Sequence, residues 1–130
     1  MIGSLGDIPF EVTPDRIRTF REISRRVAAR WSEHAIAGRK PSLEFVGPSL
    51  DEVSLSVRLS ATDGLNPRKE IERIALIVAT GEVLPLIIGG EFLGVFAVME
   101  SSESRRVHAS GGELMIAEVS LTLKEYIDDL

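Results

Sequence analysis

Side chains that could act as nucleophiles, proton carriers or metal ligands are few in these 130 residues. His34 and His108 are the only imidazoles, and there is no cysteine. Thiolate metal sites, disulfide frameworks and cysteine nucleophiles are therefore excluded together, and most zinc and triad arrangements go with them. His34 stands among Glu33, Ala35 and Arg39 with no second ligand at metal spacing. His108 falls between Val107 and Ala109 in a predicted strand. Each reads as a surface or hydrogen-bonded histidine. Asp51-Glu52 and Asp128-Asp129 are adjacent carboxylates, but neighbours in a strand point to opposite faces, so the first pair is badly placed to share a proton. Gly89-Gly90 and Gly111-Gly112 lie between strand patterns and read as hairpin turns rather than phosphate cradles. No G-x-G-x-x-G follows a strand, and there is no phosphate loop, H-E-x-x-H or G-x-S-x-G. The expectation is a protein without catalytic, cofactor-binding or metal-binding residues, hence no enzyme and no small-molecule substrate.

What remains is charge. Between Arg16 and Lys40 stand eight basic residues (Arg16, Arg18, Arg21, Arg25, Arg26, Arg30, Arg39, Lys40) against Glu22 and Glu33, a local charge of +6 in a chain of net charge −5. The remainder therefore carries −11. A chain split in this way can bind an anionic partner through one segment, or copies of itself, basic surface to acidic surface; a solvated arginine face is the plainest reading. Arginine makes up most of the basic residues, which suits forked contacts to phosphate or carboxylate. A nucleic-acid-binding role for the segment 16–40 is thus an alternative. Against it, aromatic residues are only 5% of the chain, which leaves few platforms on which bases could stack.

Stepping from these residues to the elements that carry them, 44% hydrophobic and 27% charged residues is ordinary globular composition, and the length suits one domain, 1–130. The longest apolar run, Val83 to Ile88, is strand-sized, far short of the ~20 residues of a membrane helix. Asp7 and Glu11 stand where a signal peptide would need basic residues and then an apolar run. No membrane anchor is expected, and assembly in the cytoplasm is.

Period-two alternation dominates the chain. Ile8, Phe10 and Val12 form a short first strand. Leu43 and Phe45 lead into a turn at Gly47-Pro48, and Val53, Leu55, Val57 and Leu59 alternate with polar residues. The segment after Asn66 changes period: Asn66 caps, Pro67 suits the first helical position, and Ile71, Ile74, Ala75 and Val78 form one stripe, with Ile71, Ile74 and Val78 expected against the sheet. Gly81 stops the helix. A hairpin follows from Val83 to Met99 with a bulge or close approach at Gly94, then a strand or ragged edge over 101–109. The last strand alternates Met115, Ala117, Val119, Leu121 and Leu123, and 125–130 is a short acidic tail. Residues 14–36 fit both periods: Thr13-Pro14-Asp15 could start a helix, yet Ile23, Val27, Ala29, Trp31 and Ala35 fall on alternate positions. So many short strands with one helix leave sheet edges open, and open edges invite pairing with another chain. An interaction module assembled head to tail is the reading these features favour.

From Arg30 to Ser49 the sequence RWSEHAIAGRKPSLEFVGPS resembles the GpU-like family of bacteriophage tail proteins of contractile-tailed phages, prophages and tailocins. The matching residues are Trp31, Gly38-Arg39-Lys40-Pro41, Phe45, Gly47-Pro48 and the alternating run Val53 to Leu59. The helix ending at Gly81, Leu84-Pro85-Leu86, Gly94, and Val119 to Leu123 with Tyr126 follow in order. Glu44 stands where the family has Gln, and Ser49 where it has Gly.

The resemblance implies an α+β fold, a small antiparallel β-sandwich or barrel of tail-tube type with one flanking helix at about 67–80. It also favours a strand or extended basic arm over about 14–40. It implies a structural, non-catalytic role: a ring-forming adaptor or initiator between tail tube and baseplate hub, a virion component of a contractile injection system, needed for tail assembly. Implied partners are further copies in a homo-oligomeric ring, six-fold in a contractile tail, the tail tube protein, the baseplate hub and a LysM-type tail protein. A tail terminator or completion protein at the head-proximal end is the alternative within tail biology. The expected subunit or partner interface comprises Arg26, Arg30, Trp31, Arg39, Lys40, Pro41, Phe45, Gly47 and Pro48. Gly38 gives this segment freedom and Pro41 fixes an extended exit, which suits an arm reaching the next protomer.

Overall fold

Alternating sequences become strands when one face finds a core, and among the described residues nine strands and one helix form. The structure, a computed structural model, describes residues 3–6, 8–10, 18–61 and 66–127. In chain order these are β1 (Gly3–Leu5), β2 (Ile8–Phe10), β3 (Arg18–Arg26), β4 (Ala29–Ile36), β5 (Arg39–Pro48), β6 (Glu52–Ser60), α1 (Pro67–Thr80), β7 (Val83–Ile88), β8 (Glu91–His108) and β9 (Leu114–Glu125). Seven strands make one sheet in the order β2-β1-β7-β8-β9-β6-β3, and β4 and β5 pair separately. Every pairing is antiparallel. The sheet curls until its two edge strands, β2 and β3, come within 8 Å at Cα without pairing. The α+β expectation takes the form of this half-barrel with one helix.

The inner face is apolar. Val53, Leu55, Val57 and Leu59 of β6 lie opposite Leu123, Leu121, Val119 and Ala117 of β9, and all eight are buried. Leu5, Leu84, Leu86, Phe96 and Val98 extend the same layer. Burying each such side chain contributes roughly 1.5–3 kcal/mol, which fixes the register, since a one-residue slip would turn the set to solvent. Helix α1 closes this face. Asn66 Oδ1 accepts a hydrogen bond from Lys69 N at 3.3 Å, Pro67 occupies the first turn, and Gly81 ends the helix at φ 70°. The buried stripe is Ile71, Ile74 and Ile77, with Val78 packed at its margin. Ala75, expected in that stripe, is exposed, which corrects the helix face by a small rotation.

Three further expectations change in detail. Residues 91–108 form one continuous strand rather than a strand and a ragged edge. Its bulge is real: Leu86 pairs with Gly94 and Ile87 with Phe92, leaving Leu93 as the extra residue. Gly47-Pro48 continues β5 instead of turning, and the chain leaves the ladder only at 49–51. Residues 18–26 and 29–36 are strands, as the extended reading anticipated. Val12 and the candidate helix start at Thr13-Pro14-Asp15 lie outside the described residues, as do Asp128 and Asp129.

The face turned away from the helix has two characters. Over β3, β6 and β9, cross-strand neighbours are small hydroxyls: Ser24 opposite Ser54, Ser54 opposite Thr122, Ser56 opposite Ser120. Over β7 and the start of β8 the same face is apolar, with Val83 opposite Ala97, Pro85 opposite Val95 and Ile87 opposite Phe92.

Candidate assembly interface

Strands β3 and β6 do not end the ribbon they form. Past Val27-Ala28 and Ser49-Leu50-Asp51 the same two chain segments re-pair as β4 and β5, and Ser49 N donates to Ala28 O at 3.0 Å across the junction. At a rise of about 3.3 Å per residue the hairpin projects by roughly 25 Å. Among the described residues its two strands make their contacts with each other and at most marginal ones with other elements. It is therefore an arm.

The arm's root is clasped by charge. Arg25 Nη2 and Nε donate to Asp51 Oδ2 at 2.6 and 3.1 Å. Asp51 is 8% exposed, and its main chain is held on both sides by Glu125: Asp51 N donates to Glu125 Oε1 at 3.1 Å and Glu125 N to Asp51 O at 2.9 Å. The Asp51 carboxylate, first by accepting these hydrogen bonds and then by its charge, raises the pKa of the Arg25 guanidinium above its ordinary value. On the outer face beside it, Arg26 Nη1 donates to Glu52 Oε2 at 3.1 Å. Two cations of the basic segment are thus spent on the root, binding β3 to β6.

Along the arm the two faces differ. Trp31 lies opposite Phe45 and Glu33 opposite Leu43. The Trp31 and Phe45 rings meet edge-on, centroids 5.1 Å apart and planes at 66°, a favoured geometry for aromatic pairs. Yet Trp31 is 55%, Phe45 57% and Leu43 65% exposed. The reverse face is polar: His34 Nε2 and Glu44 Oε2 are 2.7 Å apart, and Ser32 and Ser42 flank them in the register. At the tip, Ala37-Gly38 joins the strands, and only Gly38 has positive φ, 72°. A type I′ turn needs two such residues, so this turn is of another class. Near the root Gly47 faces Arg30 in the register. A Cβ on Gly47 would stand 3.1 Å from Arg30 Nη2, so the missing side chain lets the guanidinium lie across the strand.

Eight of the nine residues expected at an interface are thus spread over three places along the arm. Arg39, Lys40 and Pro41 open β5 at the exposed tip; Trp31 and Phe45 make the apolar mid-section; Arg30, Gly47 and Pro48 lie towards the root. Arg26 belongs to β3 and pairs with Glu52, off the arm proper. Leu43, Ile36 and Val46 were not singled out, and all three are exposed on the arm. For Leu43 the signal was present, since it alternates with Phe45. Of the segment's eight cations, Arg16 and the side chains of Arg18 and Arg21 lie outside the described residues. With Arg25 and Arg26 paired, Arg30, Arg39 and Lys40 stand exposed. Among the described residues no group of three or more His, Asp or Glu is placed to hold a metal. A cavity of about 630 Å³ at the opposite end of the sheet, lined among others by Arg68, Arg105, His108 and Glu113, has Arg68 paired to Glu72 and Arg105 to Glu103.

The family model described as Phage P2 GpU matches residues 6–128. No curated protein matches the chain. Among solved structures it is similar to the Dit protein of SPP1, described as a paradigm of the hub adsorption apparatus in phages infecting Gram-positive hosts. The two share 16% identity at a TM-score of 0.54, over 83% of this chain and 44% of that one, so this chain spans less than half of its length. It is also similar to a chain of the tail of an empty gene transfer agent particle, refined with C6 symmetry, at 18% identity and a TM-score of 0.46 over 86% of this chain and 81% of that one. A chain of a native gene transfer agent virion gives 18% identity and 0.43 over the same shares, 86% and 81%. The SPP1 likeness shows a shared fold; the two lower scores carry no argument.

Proposed function

This chain belongs to the Phage P2 GpU family, and on that premise we propose that it is a structural, non-catalytic component of a contractile phage tail or tailocin, forming a ring between tail tube and baseplate hub. The observation that carries this reading is the arm: a hairpin that projects from a complete half-barrel, clasped at its root, with an aromatic face left open to solvent. Exposing such a face costs solvation unless something covers it, and contiguous apolar surface rimmed by charge marks an interaction site. In the ring each arm reaches the next protomer, and the tube protein, the hub and a LysM-type protein lie above and below. The subunit is made and assembled in the host cytoplasm and ends in the virion tail.

Antibody labelling of particles in the electron microscope tests the placement. Label at the spike-bearing end is expected. Label at the head-proximal end would make the protein a tail terminator. Unlabelled particles would remove it from the virion, and steeply salt-dependent binding to DNA would then favour the nucleic-acid role of the arginine-rich segment.

A further inference from the structure

We infer that the clasp of Arg25, Asp51 and Glu125 is a latch that holds the arm at one angle to the half-barrel before any partner is met. The ribbon that carries the arm has a joint, because residues 27–28 and 49–51 belong to no ladder. The apolar side chains of the joint, Val27 and Leu50, are exposed, so packing does not stiffen it. Beyond the joint, pairing resumes as a separate two-stranded sheet. A two-stranded ribbon has little order of its own, and one interrupted in this way bends at the gap unless something else fixes the angle.

Asp51 lies in that gap, yet it is buried and held from two neighbouring strands. Its carboxylate accepts from Nη2 and Nε of Arg25 on β3, its N donates to Glu125 Oε1, and its O accepts from Glu125 N on β9. Glu91 and Glu125 attract the same guanidinium from farther off. Strand β9 pairs along both edges, with β6 and with β8, so the joint is tied to the interior of the sheet rather than to its rim. The neighbouring pair Arg26–Glu52 adds no such tie, since it joins residues that already face each other in the β3–β6 register. For assembly the consequence is pre-organisation: an arm already aimed loses little freedom on meeting the next copy, and association is stronger by the ordering it avoids. That consequence rests on the reading that copies of this chain assemble; the latch itself does not.

The chain has no cysteine, so Ser42→Cys on the arm and Ser120→Cys on β9, both exposed, place spin labels at two known positions. Double electron–electron resonance on labelled protein diluted in an excess of unlabelled protein then reads the arm's angle within one copy. A single narrow distance distribution is expected for the parent and for Arg26→Ala. Asp51→Ala and Arg25→Ala are expected to broaden it while circular dichroism stays unchanged. Should Asp51→Ala fail to fold, Arg25→Ala still decides, because that side chain is nearly half exposed. In sedimentation both latch variants are expected to associate roughly tenfold more weakly than the parent. A broad distribution in the parent, a narrow one in Arg25→Ala, or equal broadening by Arg26→Ala would each overturn the latch. A narrow parent distribution that Arg25→Ala broadens, in a protein that never assembles, would keep the latch and remove the ring reading.

Discussion

Trp31 is the only tryptophan in the chain, and it sits at the centre of the arm's apolar face, 55% exposed. Tryptophan fluorescence, excited at the red edge where Tyr126 does not absorb, therefore reports the arm. In the isolated subunit the indole is hydrated, so emission is expected to be red-shifted and to change little when the half-barrel is unfolded by urea. Assembly should move it to the blue and reduce quenching by iodide. Phe45→Ala, which removes the ring packed edge-on against it, should weaken the shift on assembly. An emission spectrum already blue in the monomer would place Trp31 in a packed environment and contradict its exposure. From its arginine side the Arg25–Asp51 clasp makes a contribution that is constant through acid and neutral pH. The guanidinium pKa is raised, so that contribution is complete below the unfolded value and is lost only as pH rises through the folded value, in the far-alkaline range.

At the scale of elements, the helix face is open to a direct check. Ile77→Asp puts a charge under α1 against the sheet, where burial without a partner costs several kcal/mol; insoluble or unfolded protein is expected. Ala75→Asp, one turn face away and exposed, should stay within about 1 kcal/mol of the parent, measured by urea titration. A soluble, folded Ile77→Asp would restore the stripe through Ala75. That stripe was misread because steps of about 100° place Ala75 and Ile77 on either side of Ile74, and alanine fits a buried or a wet position equally well. Where a strand has one dry face, as β6 and β9 do, the alternation of Val53 to Leu59 and Ala117 to Leu123 was legible residue by residue. The arm was harder. Neither of its faces is buried in the subunit, alanine and arginine there lean towards helix, and only pairing with β5 across the Ala37-Gly38 turn selects the strand. The same cause hid the far half of β8, where 102–108 is exposed throughout and extended only because β9 pairs with it.

For the whole molecule, the division of charge and of apolar surface predicts how assembly answers to salt. The net charge of −5 makes copies repel on average, while Arg30, Arg39 and Lys40 stand exposed on the arm and can meet acidic surface of a neighbouring copy. Raising NaCl from 0.1 to 1 M shortens the screening length from about 10 to about 3 Å. Two or three exposed pairs at about 0.5 kcal/mol each then amount to roughly a tenfold fall in the association constant, with multimers persisting. Ammonium sulfate should act in the other direction, since it strengthens apolar burial and the centre of the contact is aromatic. Sedimentation across both series separates the two contributions. Complete dissociation in 1 M NaCl would assign the contact to charge alone and leave Trp31 and Phe45 without a role. Indifference to NaCl with tightening in sulfate would assign the contact to the aromatic face of the arm and leave its cations without a role.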